Sequence, residues 1–340
     1  MHAIRLHAFG PPENLTYEQT EDPTPGPGQV RIAVKASGVH LLDTALRQGM
    51  QGPFPAPTEL PAIPGREVAG IVESLGEGTD PSWLGKRVVA HLGLPAPSLG
   101  GYAELAVTDA AKLHPLPDTL DEAAAVAMIG TGRTTLGILG FTHVTPDTVA
   151  LIPAAAGGIG TLLVQYVKNA GGTAIGLAGG PAKTALVEAN GADLAVDYTR
   201  PDWPDAVSGF LAARDLPGAT VVFDSVSGAT GRAAVDLLAP GGEHIVFGWS
   251  DKGPHDGEAL TFTDAELADR GITSQQVLGP PMFAKVGGDN PLRTLETRSL
   301  ALATSGELRP AVQRYPLADA AKAHHDLESR GTVGKVVLIP

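Results

Sequence analysis

The stretch Thr148-Val-Ala-Leu-Ile-Pro-Ala-Ala-Ala-Gly-Gly-Ile-Gly160, continued by Thr161-Leu-Leu-Val-Gln-Tyr-Val-Lys-Asn169, reads as a buried strand, a glycine turn and an amphipathic helix. A helix that starts at such a turn exposes unpaired N–H groups at the positive end of its dipole. A pyrophosphate reaches them only where side chains stay out of the way. Gly157 permits that approach, and Gly160 permits close packing of the helix on the sheet. The full dinucleotide fingerprint has a further Gly where this chain has Ala155. Taken alone the match is imperfect, and an ordinary strand-to-helix turn competes with it.

Around this turn, helical and strand-like patterns alternate. Helices are expected over 121–129 and 132–139, then strands over 148–153 and 173–178 with the helix above between them. A helix over 182–190 and strands over 194–196, 221–224, 242–247 and 272–278 follow. Such alternation predicts a parallel sheet covered on both faces. Residues 1–110 differ: short β-like runs at 3–6, 29–36, 67–74 and 87–90 lie between Pro/Gly turns. Crossover helices are scarce there, which predicts a mainly antiparallel, partly barrel-like domain. Helices over 292–304 and 317–329 and a closing strand over 335–339 are expected to return the chain to that first domain.

Composition narrows the function. At 340 residues the chain is long for one domain, so two are expected. A net charge of −13 opposes nonspecific attraction to nucleic acid or anionic membranes. No basic-then-apolar leader or membrane-length apolar run is present, so a soluble cytoplasmic protein is expected. The absence of cysteine excludes thiolate catalysis and cysteine-ligated metal. The 10 histidines form no HExxH pair, and His324-His325, on an expected helix, are read as facing solvent.

Several short motifs occur together in order: Gly38-Val-His-Leu-Leu-Asp43 with Arg47-Gln-Gly49, Pro64-Gly-Arg-Glu-Val-Ala-Gly70, and Gly100-Gly-Tyr-Ala-Glu104. They continue with Gly132-Arg-Thr134, Ala154–Gly160, Gly191-Ala192, Asp197-Tyr198, Phe223-Asp-Ser-Val226 and Gly334-Lys-Val-Val-Leu338. Over nearly its whole length the chain resembles the zinc-free medium-chain dehydrogenase/reductases, in the zeta-crystallin-like quinone oxidoreductase group. The resemblance implies an α/β fold: a GroES-like, mainly antiparallel β domain (1–123 and 281–340) and a Rossmann doubly wound parallel-sheet domain (124–280), with a cofactor in the cleft between. Zinc-dependent cousins have Cys where this chain has His40 and His where it has Arg66. A guanidinium is no zinc ligand, so no metal is expected.

The resemblance implies cofactor contacts at Ala156, Gly157, Gly158, Ile159 and Gly160. No carboxylate stands in Ala178-Gly-Gly-Pro-Ala-Lys183 to hold a ribose 2′-hydroxyl. NADPH is therefore expected; the resemblance aligns Lys183 and Tyr198, near Gly180, with residues that contact the 2′-phosphate, and Arg200 is a possible substitute. A solvated helix lysine is the plainer reading of Lys183. The resemblance aligns Thr134 with a Thr close to the nicotinamide, and Phe247, Gly248 and Ser250 with residues following a sheet strand, whose main-chain groups could hold the carboxamide. Equally, Thr134 could bond its own helix and Phe247 could be a core aromatic. Lys335 could reach the cofactor or act as an edge charge.

The implied substrate pocket contains His40, Asp43, Ala45, Arg47, Trp249 and Met282. Relatives usually have Asn at His40 and Tyr at Ala45. His40 could donate a proton to a carbonyl oxygen or be a hydrogen-bonded wall. Asp43 is expected to cap a segment over 44–48, and Arg47, Arg66 and Glu67 to form ion pairs. Trp249 and Met282 are read by default as buried packing residues. The expected reaction is zinc-independent hydride transfer from NADPH to a quinone or α,β-unsaturated carbonyl, by a cytoplasmic homodimer. Enoyl-thioester reduction is an alternative, as is a crystallin-like cofactor-binding protein with little turnover. The exposed edge expected over 272–278 is a weak cue to dimerisation.

Overall fold

The computed structural model describes residues 1–50, 59–93, 100–253 and 256–340. The chain divides into two compact units. One comprises Met1–Thr131, Ser299–Thr304 and Pro310–Pro340, the other Gly132–Arg298 and Ser305–Arg309. Thus 124–131 lies with the first unit, and 281–298 and 305–309 with the second. No helix among the described residues is long and apolar enough to cross a membrane.

The first unit is organised by the strand Gln29–Gly38, whose Val30, Ile32 and Val34 alternate inward. They join Val68, Val72, Val88, Ala90, Ala106 and Leu113 in one apolar cluster. Burying one such side chain contributes about 1.5–3 kcal/mol. Gln29–Gly38 pairs antiparallel with Glu67–Leu75, Leu105–Asp109 and the final strand, Lys335–Ile339. Val312–Pro316 extends the sheet beyond Lys335–Ile339, pairing with it in parallel. The C-terminal strand is therefore interior to the sheet of the N-terminal unit, and Lys335 is no edge charge.

The second unit contains a parallel sheet of six strands. In spatial order they are Leu194–Asp197, Thr173–Ala178, Val149–Ile152, Ala219–Asp224, Leu238–Val246 and Thr273–Gln276. Every residue of Val149–Ile152 is buried, as expected of a central parallel strand. Chain order runs outward from it in both directions, which places a topological switch point beside the quoted turn. Thr273–Gln276 is an edge strand.

Two expected helices are interrupted. The first ends at Ala127 and passes into a π-helical segment, Met128–Gly132, before the helix Arg133–Leu139. Gly130 and Gly132 weaken regular propagation there. Residues 317–329 begin as a 3-10 turn, Leu317–Asp319, and become α-helical over Ala320–Glu328.

Candidate active site

In the second unit, Gly157 is the N-cap of the helix Gly158–Asn169, whose first turn carries no acidic side chain. Ala154 takes a left-handed φ of 53°, and its carbonyl accepts the Gly157 N–H at 3.0 Å. A Cβ on Gly160 would fall 2.5 Å from Ala154 O and 2.6 Å from Ala155 Cα. A Cβ on Gly157 would meet only Ala154 O, at 3.3 Å. The helix is thus pressed onto the turn at Gly160 and open at its N-terminus. Those residues fit a pyrophosphate.

After the next strand, Gly180 (φ 84°) is the N-cap of the helix Pro181–Ala189. Lys183 lies in its first turn, and Tyr198 packs partly buried against the apolar cluster of this unit. Arg200 is exposed and ion-paired with Asp202 at 2.9 Å. No carboxylate occurs in 179–183, but Asp197 supplies one from the neighbouring strand. Its side chain accepts from Thr199 Oγ1 at 2.7 Å and from the Gly180 N–H, which together hold its pKa below the ordinary value.

Thr134 lies within the helix Arg133–Leu139. Met282 is buried against Gly137 of that helix, where a Cβ would collide with its Sδ. Phe247 N donates to Asp224 O at 2.8 Å, and Ser227 Oγ donates to Gly248 O at 3.0 Å. Ser250 Oγ donates to Ser225 O at 3.3 Å. The segment 247–250 is therefore bonded to the turn after the adjacent strand. Trp249 is 44% exposed, which corrects the default reading of a buried residue.

In the first unit, the helix Leu41–Arg47 begins earlier than expected, with His40 as its N-cap. Asp43 does not cap a segment starting at Thr44; from inside the first turn it accepts the His40 backbone N–H at 2.8 Å. Ala45 is buried in this helix. Arg47 donates to Glu328 through two nitrogens, at 3.1 and 2.6 Å.

Glu67, Asp43 and Arg66 form a buried cluster; the sequence predicts ion pairs for Arg47, Arg66 and Glu67, but not their partners Glu328, Asp43, His40 and Lys335. Glu67 has His40 Nε2 at 2.6 Å from Oε1 and Lys335 Nζ at 3.1 Å from Oε2. Burial opposes ionisation of Glu67, but His40 and Lys335 outweigh it and hold the carboxyl well below its usual range. Burial lowers the pKa of His40, with Glu67 opposing and Lys335 adding to the shift. A Cβ on Gly38 or Gly130 would collide with the Glu67 carboxylate. Asp43 accepts from Arg66 at 2.6 Å and from the Tyr102 hydroxyl at 3.1 Å.

His324, expected in solvent, is fully buried. Its Nε2 lies 3.1 Å from Tyr102 Oη, and Arg47 approaches Nδ1 at 3.5 Å. The signal was available: Ala320, Ala323, His324 and Leu327 share one helical face, and the three apolar members pack in the core. Glu67 also left a trace, as a carboxylate opening the otherwise apolar run Val-Ala-Gly-Ile-Val. In the second unit, Asp224 accepts from the Val226 and Ser227 N–H groups, both at 2.8 Å, and pairs with His244 Nε2 at 3.1 Å. Among the described residues, no group of three or more His, Asp or Glu side chains converges as a metal site requires.

With this geometry in place, comparison with known proteins is informative. Residues 26–118 match the alcohol dehydrogenase GroES-like domain model, and 190–338 match a zinc-binding dehydrogenase model. A quinone oxidoreductase of Pseudomonas aeruginosa is 34% identical over 99% of this chain and 99% of its own length. A 2-haloacrylate reductase of a Burkholderia species is 30% identical over 99% of this chain and 98% of its own. The crystal structure of Escherichia coli quinone oxidoreductase complexed with NADPH superposes with a TM-score of 0.82 at 29% identity, covering 100% of both chains.

Proposed function

The chain belongs to the medium-chain dehydrogenase/reductase family, in its quinone oxidoreductase group, and from that premise we propose that it reduces a quinone or an α,β-unsaturated carbonyl with NADPH. The observation that carries this reading is the turn at Gly157–Gly160, an open helix N-terminus closely seated on a parallel sheet at its switch point. The amides of 156–160 would hold the pyrophosphate. Lys183 and Tyr198 would hold the 2′-phosphate, with Arg200 turning from Asp202 to assist. Thr134, Phe247, Gly248 and Ser250 would orient the carboxamide.

Bound NADPH supplies a hydride equivalent; the protein supplies position and electrostatics. Holding the acceptor within about 3–3.5 Å in a reactive orientation removes much of the barrier. His40 and Ala45 of the first unit and Trp249 of the second are assigned to the acceptor pocket, with His40 the candidate donor to a developing enolate oxygen. Asp43, Arg47 and Met282, assigned to the same pocket, are buried in contacts within their own units and would support it indirectly. Lys335 is assigned to Glu67. No metal is required by this assignment: Arg66 is committed to Asp43.

We further place the protein in the cytoplasm as a homodimer. The edge strand Thr273–Gln276 supports this as a ready pairing template. Sedimentation at micromolar concentration tests the dimer. The activity is tested by NADPH and NADH oxidation with 1,4-benzoquinone, 9,10-phenanthrenequinone and a set of enones. NADPH-selective turnover without added zinc is expected; NADH preference or zinc dependence would overturn the reading.

A further inference from the structure

The backbone of Ser227 departs from what an L-residue adopts freely. The residue is fully buried with φ 60° and ψ −152°, a region otherwise left to glycine, and the next residue in the turn is a glycine, Gly228 at φ 56°. Glycine at 227 would take that conformation without strain, so the strain is tied to what the serine side chain does. Its hydroxyl donates to Gly248 O at 3.0 Å and accepts the Leu260 N–H at 3.1 Å, joining three separate segments. Asp224 holds the turn: Oδ1 accepts the Val226 and Ser227 N–H groups, both at 2.8 Å, and Oδ2 lies 3.1 Å from His244 Nε2. His244 is held at its other nitrogen too, with Ser274 Oγ 2.8 Å from Nδ1, and Phe262 packs perpendicular to its ring. Gly231 leaves the space that the Asp224 carboxylate occupies, and that carboxylate is fixed through both oxygens.

Sheet order gives this turn its place. The glycine turn at Gly157 follows Val149–Ile152, and Gly180 and Lys183 follow the neighbouring strand on one side. On the other side Ala219–Asp224 leads into the Ser227 turn, and Leu238–Val246 leads into 247–250. These strands are parallel, so their connections all leave the carboxyl edge, where open α/β sheets bind ligands. With the pyrophosphate at Gly157 and the 2′-phosphate toward Lys183, the side left for the nicotinamide is that of Ser227 and 247–250. We propose that Ser227 is a positioning residue for the nicotinamide: by fixing the Gly248 carbonyl, its hydroxyl sets where the main chain of 247–250 meets the carboxamide. The inference rests on the proposed NADPH-dependent reduction. The two connections are tied at three further points: Phe247 N donates to Asp224 O at 2.8 Å, Ser250 Oγ to Ser225 O at 3.3 Å and Asp251 N to Val226 O at 3.0 Å. A Cβ on Gly248 would fall 2.6 Å from Ser225 O, so the segment lies close against the turn that Ser227 anchors.

The test compares Ser227→Gly with Ser227→Ala: both remove the hydroxyl, but only glycine relieves the backbone. Ser227→Gly should therefore unfold at the higher urea concentration. Both variants should keep the wild-type affinity for 2′,5′-ADP, which carries only the phosphate-binding half of the cofactor. The fluorescence lifetime of bound NADPH reports how firmly the reduced ring is held, and in both it should fall toward that of free NADPH. Single-turnover hydride transfer should slow at least about tenfold in both, as misplacement of a reacting ring implies. A loss confined to the less stable Ser227→Ala, or a parallel fall in 2′,5′-ADP affinity, makes Ser227 merely structural and overturns the proposal. A wild-type lifetime in Ser227→Gly does the same, and that variant decides alone if Ser227→Ala does not fold. Absence of turnover across the whole acceptor panel, with the lifetime difference intact, would sink the reductase reading and leave the role of Ser227 standing. Wild-type protein that binds no NADPH overturns both.

Discussion

Arg66 and Asp43 are a buried ion pair, with Nη2 2.6 Å from Oδ1 and both side chains almost wholly enclosed. Asp43 also receives the Tyr102 hydroxyl and the His40 backbone N–H, so its lone pairs are well used. Removing one partner leaves an uncompensated charge in a low-dielectric site. Arg66→Met or Asp43→Asn should each cost about 3–5 kcal/mol. Urea unfolding measures this, and the double variant should recover part of the loss. A loss under about 1 kcal/mol in both single variants would mean that water reaches the pair.

The seating of the helix at Gly160 predicts that Gly160→Ala weakens NADPH binding at least about tenfold, or about 1.4 kcal/mol. It should also destabilise the fold by about 1–3 kcal/mol through overpacking. Gly209 is the control, since a Cβ there meets nothing within 4 Å and the residue lies in the helix Trp203–Ala212. Gly209→Ala should stabilise by about 0.5–1 kcal/mol. Isothermal titration and thermal unfolding separate the two effects.

On the proposed assignment, cofactor choice turns on two charges. Lys183→Ala should raise the NADPH KM about tenfold or more while leaving NADH kinetics nearly unchanged, as loss of a charge-assisted contact implies. Asp197→Asn removes a carboxylate bonded to the Gly180 N–H and should shift preference further toward NADPH, severalfold. Equal losses for both cofactors in Lys183→Ala would refute the 2′-phosphate assignment.

Burial pushes the His324 pKa down to about 4, with Asp43 opposing and Arg47 reinforcing the shift. An unfolded histidine titrates near pH 6.5. The unfolded chain therefore binds a proton that the folded one refuses, and stability falls as pH drops from about 6.5 toward 4, at up to about 1.4 kcal/mol per pH unit. Above pH 7 this contribution is fully present. His324→Gln should flatten the stability curve across that window, as read from urea midpoints at pH 7 and 4.5. An unchanged slope would exclude His324 as its source.

Local periodicity carried most of the fold. Thr173–Ala178 has the bounds expected from sequence, and so does Lys335–Ile339. Apolar alternation and breakers are properties of neighbouring residues, so they survive in one dimension. The cofactor turn was legible for the same reason, being a local motif. The polar cluster was not: Tyr102 and His324 meet across a sequence separation of 222 residues, and Arg47 meets Glu328 across 281. Lys335 could be read as an edge charge because nothing near it announces that its strand lies inside the sheet. The need for glycine at 130, within the segment Met128–Gly132, is likewise tertiary: a carboxylate 63 residues upstream occupies the space a side chain there would take.

That carboxylate imposes an order on evolutionary change. Gly38 and Gly130 are the two missing side chains whose space Glu67 fills. A descendant could first shorten residue 67 and only afterwards acquire methyl groups at 38 and 130. The reverse sequence of steps passes through a chain in which a methyl and a carboxylate claim the same space. Three distant positions are thus inherited as one unit. A lineage that has filled either glycine has closed its route back to a carboxylate at 67, and with it the buried contacts that carboxylate makes with His40 and Lys335.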